Sequence, residues 1–279
     1  MSLKQEILRC SPGEGQLAMF YLGQETVLLK HAGRYVLFDP YLTDYVDQNF
    51  WTEAVPWKRR YPAPIAPEEL DFIDFVFCSH DHGDHADPWS LSAIAKASPN
   101  AVFAGSPQVL KVYESCGVPA ERTLLLKADE KVSLSEGLSV TAIPSAHEEL
   151  HPCGDGCYAE LGFIVDCGGM RVYHAGDCCM YDGLTERIRG VDVACLPING
   201  RDYFRTANDI IGNFDCAEAI TLAAQAGAKL LVPLHYELYN VNCVNPAHFV
   251  DCLYRIAPAQ RFHLFAPGEK CIYEGAHSC

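Results

Sequence analysis

The seven residues Ser79-His80-Asp81-His82-Gly83-Asp84-His85 constrain this chain more than any other segment. They set three imidazoles and two carboxylates between His80 and His85, directly after the short apolar run Phe72 to Cys78. Residues two apart in an extended chain share a side, so His80 and His82 can face one metal ion, while the turn at Gly83 swings Asp84 and His85 towards another. One histidine near a strand end is ordinarily a surface or hydrogen-bonded residue; three in this arrangement point to ligation. Mixed imidazole and carboxylate donors suit zinc, manganese or iron, whereas a calcium site is built from oxygen alone.

Three later segments repeat the same order of apolar strand and then ligand: VTAIPSAH ends at His147, MRVYHAGD at Asp177 and LLVPLH at His235. Strand ends can converge at one edge of a sheet. The complete assignment puts His80, His82 and His147 on one ion and Asp84, His85 and His235 on a second, with Asp177 bridging. Each ion keeps room for water or substrate. The histidines at 31, 151, 174, 248, 263 and 277 receive no ligand role, and His174 is expected to pack or to hydrogen-bond near the site.

Strands are expected at Leu17 to Leu22, Thr26 to Lys30, Arg34 to Phe38, Phe72 to Cys78, Leu138 to Pro144, Tyr158 to Val165, Arg171 to His174, Val191 to Leu196, Lys229 to Pro233, Arg261 to Phe265 and Cys271 to Tyr273. Helices are expected at Pro88 to Ala97 and Pro107 to Cys116, from an N-cap at Asp215 to Ala226, and from Asn245-Pro246 to Arg255. A proline-rich insert from Tyr41 to Glu69, carrying Trp51 and Trp57, is too long for a plain connection and should fold over something. No linker or like-charge run divides the 279 residues, which predicts one domain.

Composition narrows the function. Acidic residues outnumber basic ones 36 to 21, a net charge of -15 that works against binding an extended nucleic-acid backbone. The first fifteen residues have no apolar core of signal-peptide type, and no later stretch approaches the roughly 18 apolar residues needed to span a membrane. A soluble, cytoplasmic protein is expected. The fourteen cysteines should then be thiols, with no structural bridges and no structural zinc, CGDGC at Cys153 to Cys157 included. The patterns Gly13-x-Gly15-x-x-Ala18 and Gly154-x-Gly156-x-x-Ala159 do not join a strand to a helix, so no nucleotide cofactor is expected.

In order, Asp39, His80-x-His82-x-Asp84-His85, His147, Asp177 and His235 resemble the motifs of the metallo-beta-lactamase superfamily across nearly the whole chain. The resemblance implies an α+β fold, a four-layer αββα sandwich with a dinuclear site at one edge of its paired sheets. It gives Asp39 an orienting role rather than direct ligation. A branch that uses two irons for oxygen or nitric oxide carries glutamate at the second position of the motif; here it is His82, and no attached flavin-binding domain is evident, so hydrolysis is expected.

Finer likeness, in Tyr21-Leu22-Gly23-Gln24, Tyr61-Pro62-Ala63-Pro64-Ile65, Ile198-Asn199-Gly200-Arg201-Asp202 and Asn208 to Asn213, is to the L-ascorbate-6-phosphate lactonase branch. The chain departs from that pattern with Cys178 after Asp177, Glu237 after His235-Tyr236, and a shorter length. The implied activity is opening of a phosphorylated sugar-acid lactone, such as L-ascorbate 6-phosphate, by hydroxide activated on two Mn2+ or Zn2+ ions. Asp84 would be both ligand and catalytic carboxylate. Lys58, Arg59 and Arg60 in the insert, with Asn199, Arg201 and Arg205, are the expected contacts to a small anionic substrate. A dinuclear phosphodiesterase and a metal-binding protein without turnover are the alternatives. Edge strands and the insert would also permit a homo-oligomer.

Overall fold

A computed structural model of the chain describes residues 1–275, so His277 and Cys279 lie outside the described residues. The chain folds as two compact units, one made of residues 1–45, 62–126 and the C-terminal segment from Phe265, the other of residues 46–61 and 127–264.

The first unit is built on a mixed sheet. β1 (Gln16–Gly23), β2 (Thr26–His31) and β3 (Arg34–Phe38) form an antiparallel meander, and the final strand Lys270–Glu274 pairs with the outer side of β1. The β2–β3 turn is Ala32-Gly33, both at positive φ, which matches the twist of the flanking strands. From β3 the sheet becomes parallel through β4 (Phe75–Phe77), β5 (Val102–Gly105) and β6 (Thr123–Leu125). Parallel pairing needs crossovers, and the helices Pro88–Ala97 and Pro107–Ser115 supply the later ones. Each starts with proline where no N–H is needed, and Asp87 and Ser106 cap the exposed amides. Leu28, Leu37, Val76, Leu91, Phe103, Val109 and Tyr113 lie in its buried core.

In the second unit the sheet order is β14-β13-β12-β11-β8-β7. These are β7 (Lys131–Ser135), β8 (Leu138–Pro144), β11 (Leu161–Cys167), β12 (Met170–His174), β13 (Val193–Pro197) and β14 (Leu230–Leu234), while β9 (Pro152–Gly154) and β10 (Cys157–Tyr158) form a small separate hairpin. β8 and β12 both run antiparallel to β11, and β12, β13 and β14 are mutually parallel. The C-terminal ends of β8, β12 and β14 therefore point the same way. The helix Cys216–Ala226 packs on β13 and β14 and against the helix Pro246–Ile256. Its start is fixed by a reciprocal Asp215–Glu218 capping box and its end by Gly227 at φ +73°.

Three expectations change. Arg261 to Phe265 forms no strand, only a bridge from Phe262 to Leu231. The expected strand Tyr158 to Val165 is broken, with β11 starting only at Leu161. The insert has no single fate: residues 46–61 belong to the second unit and 62–69 to the first. The N-terminal helix Leu3–Arg9, β5, β6 and β7 were not legible in the sequence pattern. Among the described residues, no helix is long and apolar enough to cross a membrane.

Candidate metal centre

In the first unit, the parallel register of Phe38 with Phe77 brings the residues that follow β3 and β4 side by side. Asp39, buried and at φ +41°, accepts hydrogen bonds from the Ser79 amide and the Ser79 hydroxyl, each at 2.7 Å. Its Oδ2 also lies 2.8 Å from Nδ1 of His85. That contact fixes the ring and turns Nε2 towards Oδ2 of Asp84, 3.8 Å away. The rings of His80 and His82 are 4.5 Å apart and those of His80 and His85 4.2 Å apart. All four expected ligands of this segment thus gather behind β4. Gln24, also left-handed at φ +58°, donates from Nε2 to Asp84 Oδ2 at 2.9 Å. Gln24 closes the Tyr21-Leu22-Gly23-Gln24 motif, and nothing in that motif alone points to a role for it.

The second unit carries the other three. His147 follows β8, Asp177 follows β12 and His235 follows β14, all buried. One Asp177 oxygen lies 3.8 Å from Nε2 of His147 and the other 3.4 Å from Nε2 of His235. The Ser145 hydroxyl donates to the carbonyls of Ala175 and Asp177 and so ties the first two loops together. His174 accepts from the Gly176 amide at 3.3 Å and shapes the turn that carries Asp177, in keeping with its expected place beside the ligands.

These spacings fit a metal better than direct pairing. Two donors each about 2.1 Å from a tetrahedral ion lie about 3.4 Å apart, near the His–Asp separations here, whereas a good N–H···O bond is about 2.9 Å. Imidazole nitrogen with carboxylate oxygen is the donor set of a first-row transition metal.

The expected substrate contacts divide. Asn199 is buried in an amide chain, accepting from Asn213 at 3.0 Å and donating to Asn242 at 2.9 Å. Arg205 is buried too; its guanidinium donates to the carbonyls of Asn199, Gly200 and Cys243 and pairs with Asp202. Both hold the loop after β13, with these side chains engaged inside the protein. Arg201 is clamped by Glu218 at 2.6 and 3.0 Å and by the Asn213 carbonyl, so its fork faces a protein carboxylate instead of a ligand. The Glu218 hydrogen bonds hold its guanidinium above the usual range. In the insert, Arg59 binds Asp47 through its amide, while Lys58 and Arg60 are exposed.

Three of the buried cysteines are held as thiols. Burial pushes the thiols of Cys167, Cys178 and Cys216 up to about 12, which keeps them protonated and unreactive at neutral pH.

A family model described as the beta-lactamase superfamily domain matches residues 34–236, more than half of the chain. The chain belongs to the metallo-beta-lactamase superfamily. Among its relatives, a UPF0173 metal-dependent hydrolase of Methanoregula boonei is 30% identical over 201 residues, covering 70% of this chain and 81% of the relative. Another, of Opitutus terrae, is 27% identical over 259 residues, covering 91% and 98%. The class so defined is that of the metal-dependent hydrolases. Solved structures extend the likeness of fold: Igni18, a metallo hydrolase of Ignicoccus hospitalis (TM-score 0.66, 19% identity, 93% of this chain and 99% of that one), and an isothiocyanate hydrolase from Delia radicum gut bacteria (TM-score 0.71, 18% identity, 92% and 100%).

Proposed function

We propose that the chain is a dinuclear hydrolase, with His80, His82 and His147 on one ion, Asp84, His85 and His235 on the other, and Asp177 between them. The observation that carries this reading is Asp177 itself, whose two oxygens each address a different imidazole. A carboxylate placed that way is suited to hold two cations at once. When bound, Mn2+ or Zn2+ would lower the pKa of water towards neutrality and polarise a carbonyl oxygen. The protein's part is aim and proton handling. Asp39 fixes the His85 ring, and Asp84, steadied by Gln24, offers its carboxylate to take and hold a proton at Oδ1 or Oδ2.

For the substrate we infer a small anionic ester, in its sharpest form a phosphorylated sugar-acid lactone such as L-ascorbate 6-phosphate. Support comes from the likeness of the insert and the Asn199 segment to that branch, and from cationic residues in an otherwise acidic chain. One departure has a local account: Glu237, where the branch carries aspartate, is long enough to accept a hydrogen bond from Tyr61 of the insert. Buried thiols fit a reducing compartment, which agrees with a cytoplasmic setting.

The test is metal analysis of protein purified without added metal, followed by turnover assays on phosphorylated lactones and on bis(p-nitrophenyl) phosphate. Lactone hydrolysis that is lost with a chelator and restored by Mn2+ or Zn2+ is expected. Turnover of the diester alone would favour the phosphodiesterase, and bound metal with neither activity would leave a metal-binding protein.

A further inference from the structure

The second unit contains a cleft of about 380 Å³ whose wall begins at the residue after His235. Tyr236, Glu237, Cys243, Asn245 and Pro246 line it, and Arg60 of the insert closes one side. We propose that this cleft is an oxyanion subsite in which the Arg60 guanidinium binds the phosphate or carboxylate of the substrate. The identity of the ligand rests on the hydrolase reading above; the presence of the subsite does not.

Three observations converge on Arg60. First, its backbone is held in place: its amide donates to the Leu238 carbonyl at 3.0 Å, and the preceding residue bridges to Tyr239. Asp47 clamps the same junction, one oxygen accepting from the Arg59 amide and the other from the Tyr239 hydroxyl, both at 2.8 Å, while Trp57 packs edge-on against the Tyr239 ring. Second, the guanidinium makes one contact among the described residues, from Nη1 to the Glu237 carbonyl at 3.2 Å. Arg60 is exposed and lines the cleft, whereas the guanidinium groups of Arg201 and Arg205 are engaged within the fold. Third, the acid in the cleft already has donors of its own: Glu237 accepts from the Tyr61 hydroxyl and the Tyr236 amide. An oxyanion entering beside Arg60 therefore meets a fork that offers paired hydrogen bonds. Asp47 acts as a positioning residue, since it joins Arg59 to Tyr239 and does not line the cleft.

Cys243 is a built-in reporter on the cleft wall. In the purified full-length protein, its alkylation by iodoacetamide is followed by peptide mass spectrometry, with Cys116 and Cys252 as internal references. Inorganic phosphate and acetate are titrated in separate arms. Saturable protection of Cys243 alone is expected, and whichever anion protects at lower concentration names the group recognised. Arg60→Gln should raise the half-protecting concentration by about tenfold, the loss of a charge-assisted hydrogen bond, and Arg60→Lys by less. Asp47→Asn should give an intermediate shift. Absence of protection by either anion, or equal protection in Arg60→Gln, overturns the subsite. Protection without hydrolysis of any lactone or diester keeps the subsite and removes the hydrolase reading; hydrolysis without protection does the reverse.

Discussion

Asp39 Oδ2 stands 2.8 Å from Nδ1 of His85, and the same carboxylate receives both the amide and the hydroxyl of Ser79. The acceptor is thus shared between a backbone turn and a ring. Asparagine at this position keeps one oxygen but presents an N–H₂ to the other partner, so the His85 tautomer it favours is the wrong one for ligation through Nε2. Asp39→Asn should lower metal affinity or turnover by about 10- to 100-fold. Metal titration and steady-state kinetics check this, with circular dichroism to confirm an intact fold.

Asp177 serves both imidazoles of its unit, so its loss should differ in kind from the loss of one histidine. Asp177→Ala is expected to deplete both ions and abolish turnover, whereas His82→Ala depletes one ion more than the other. Plasma emission spectrometry on dialysed protein reads the stoichiometry. Full metal content with unchanged turnover in either variant would sink the dinuclear arrangement.

Glu218 gives a pH signature away from the site. Burial pushes its carboxyl up, but hydrogen bonds from Arg201 and the Asp215 amide more than offset this and hold it below its ordinary value of 4.5. A carboxylate depressed in the folded state contributes stability that is present above its unfolded pKa and lost as pH falls through the folded one. Glu218→Gln keeps the helix cap and removes the charge, so near neutral pH it should cost about 1 kcal/mol, discounted for the partly exposed pair. Urea denaturation across pH should show the gap from the native chain closing on acidification; a constant gap would contradict the ion pair.

Gly162 lies in β11 where a Cβ would come 2.9 Å from the Tyr173 ring and 3.0 Å from the His174 carbonyl. The carbonyl cannot swing aside without disturbing β12, which leads into the Asp177 turn. Gly162→Ala should destabilise by about 1–3 kcal/mol, and thermal denaturation should show it. Metal content at low temperature should fall as well if the strain reaches Asp177.

What the sequence disclosed depended on how each element is specified. The helix Cys216–Ala226 was readable to the residue, because an aspartate cap and a glycine stop are local signals. The candidate ligands were legible as candidates for the same reason, because strand-then-ligand is a pattern of adjacent residues. The roles of Asn199, Arg201 and Arg205 were not readable, since an arginine looks the same in sequence whether it meets a phosphate, a backbone carbonyl or Glu218. Gln24 escaped for a related reason: it lies 60 residues from Asp84, and only the fold makes them neighbours. β5 and β6 are too short to show a period, and pairing in the sheet defines them.

Asp39 and His235 both sit in left-handed backbone, at φ +41° and +55°, at the ends of their strands. An L residue there costs roughly 1–2 kcal/mol that glycine would avoid. At Asp39 the hydrogen bonds from Ser79 offset that cost. At His235 the bend holds a buried imidazole 3.4 Å from Asp177, so glycine there would relax the backbone and remove the group that the bend presents.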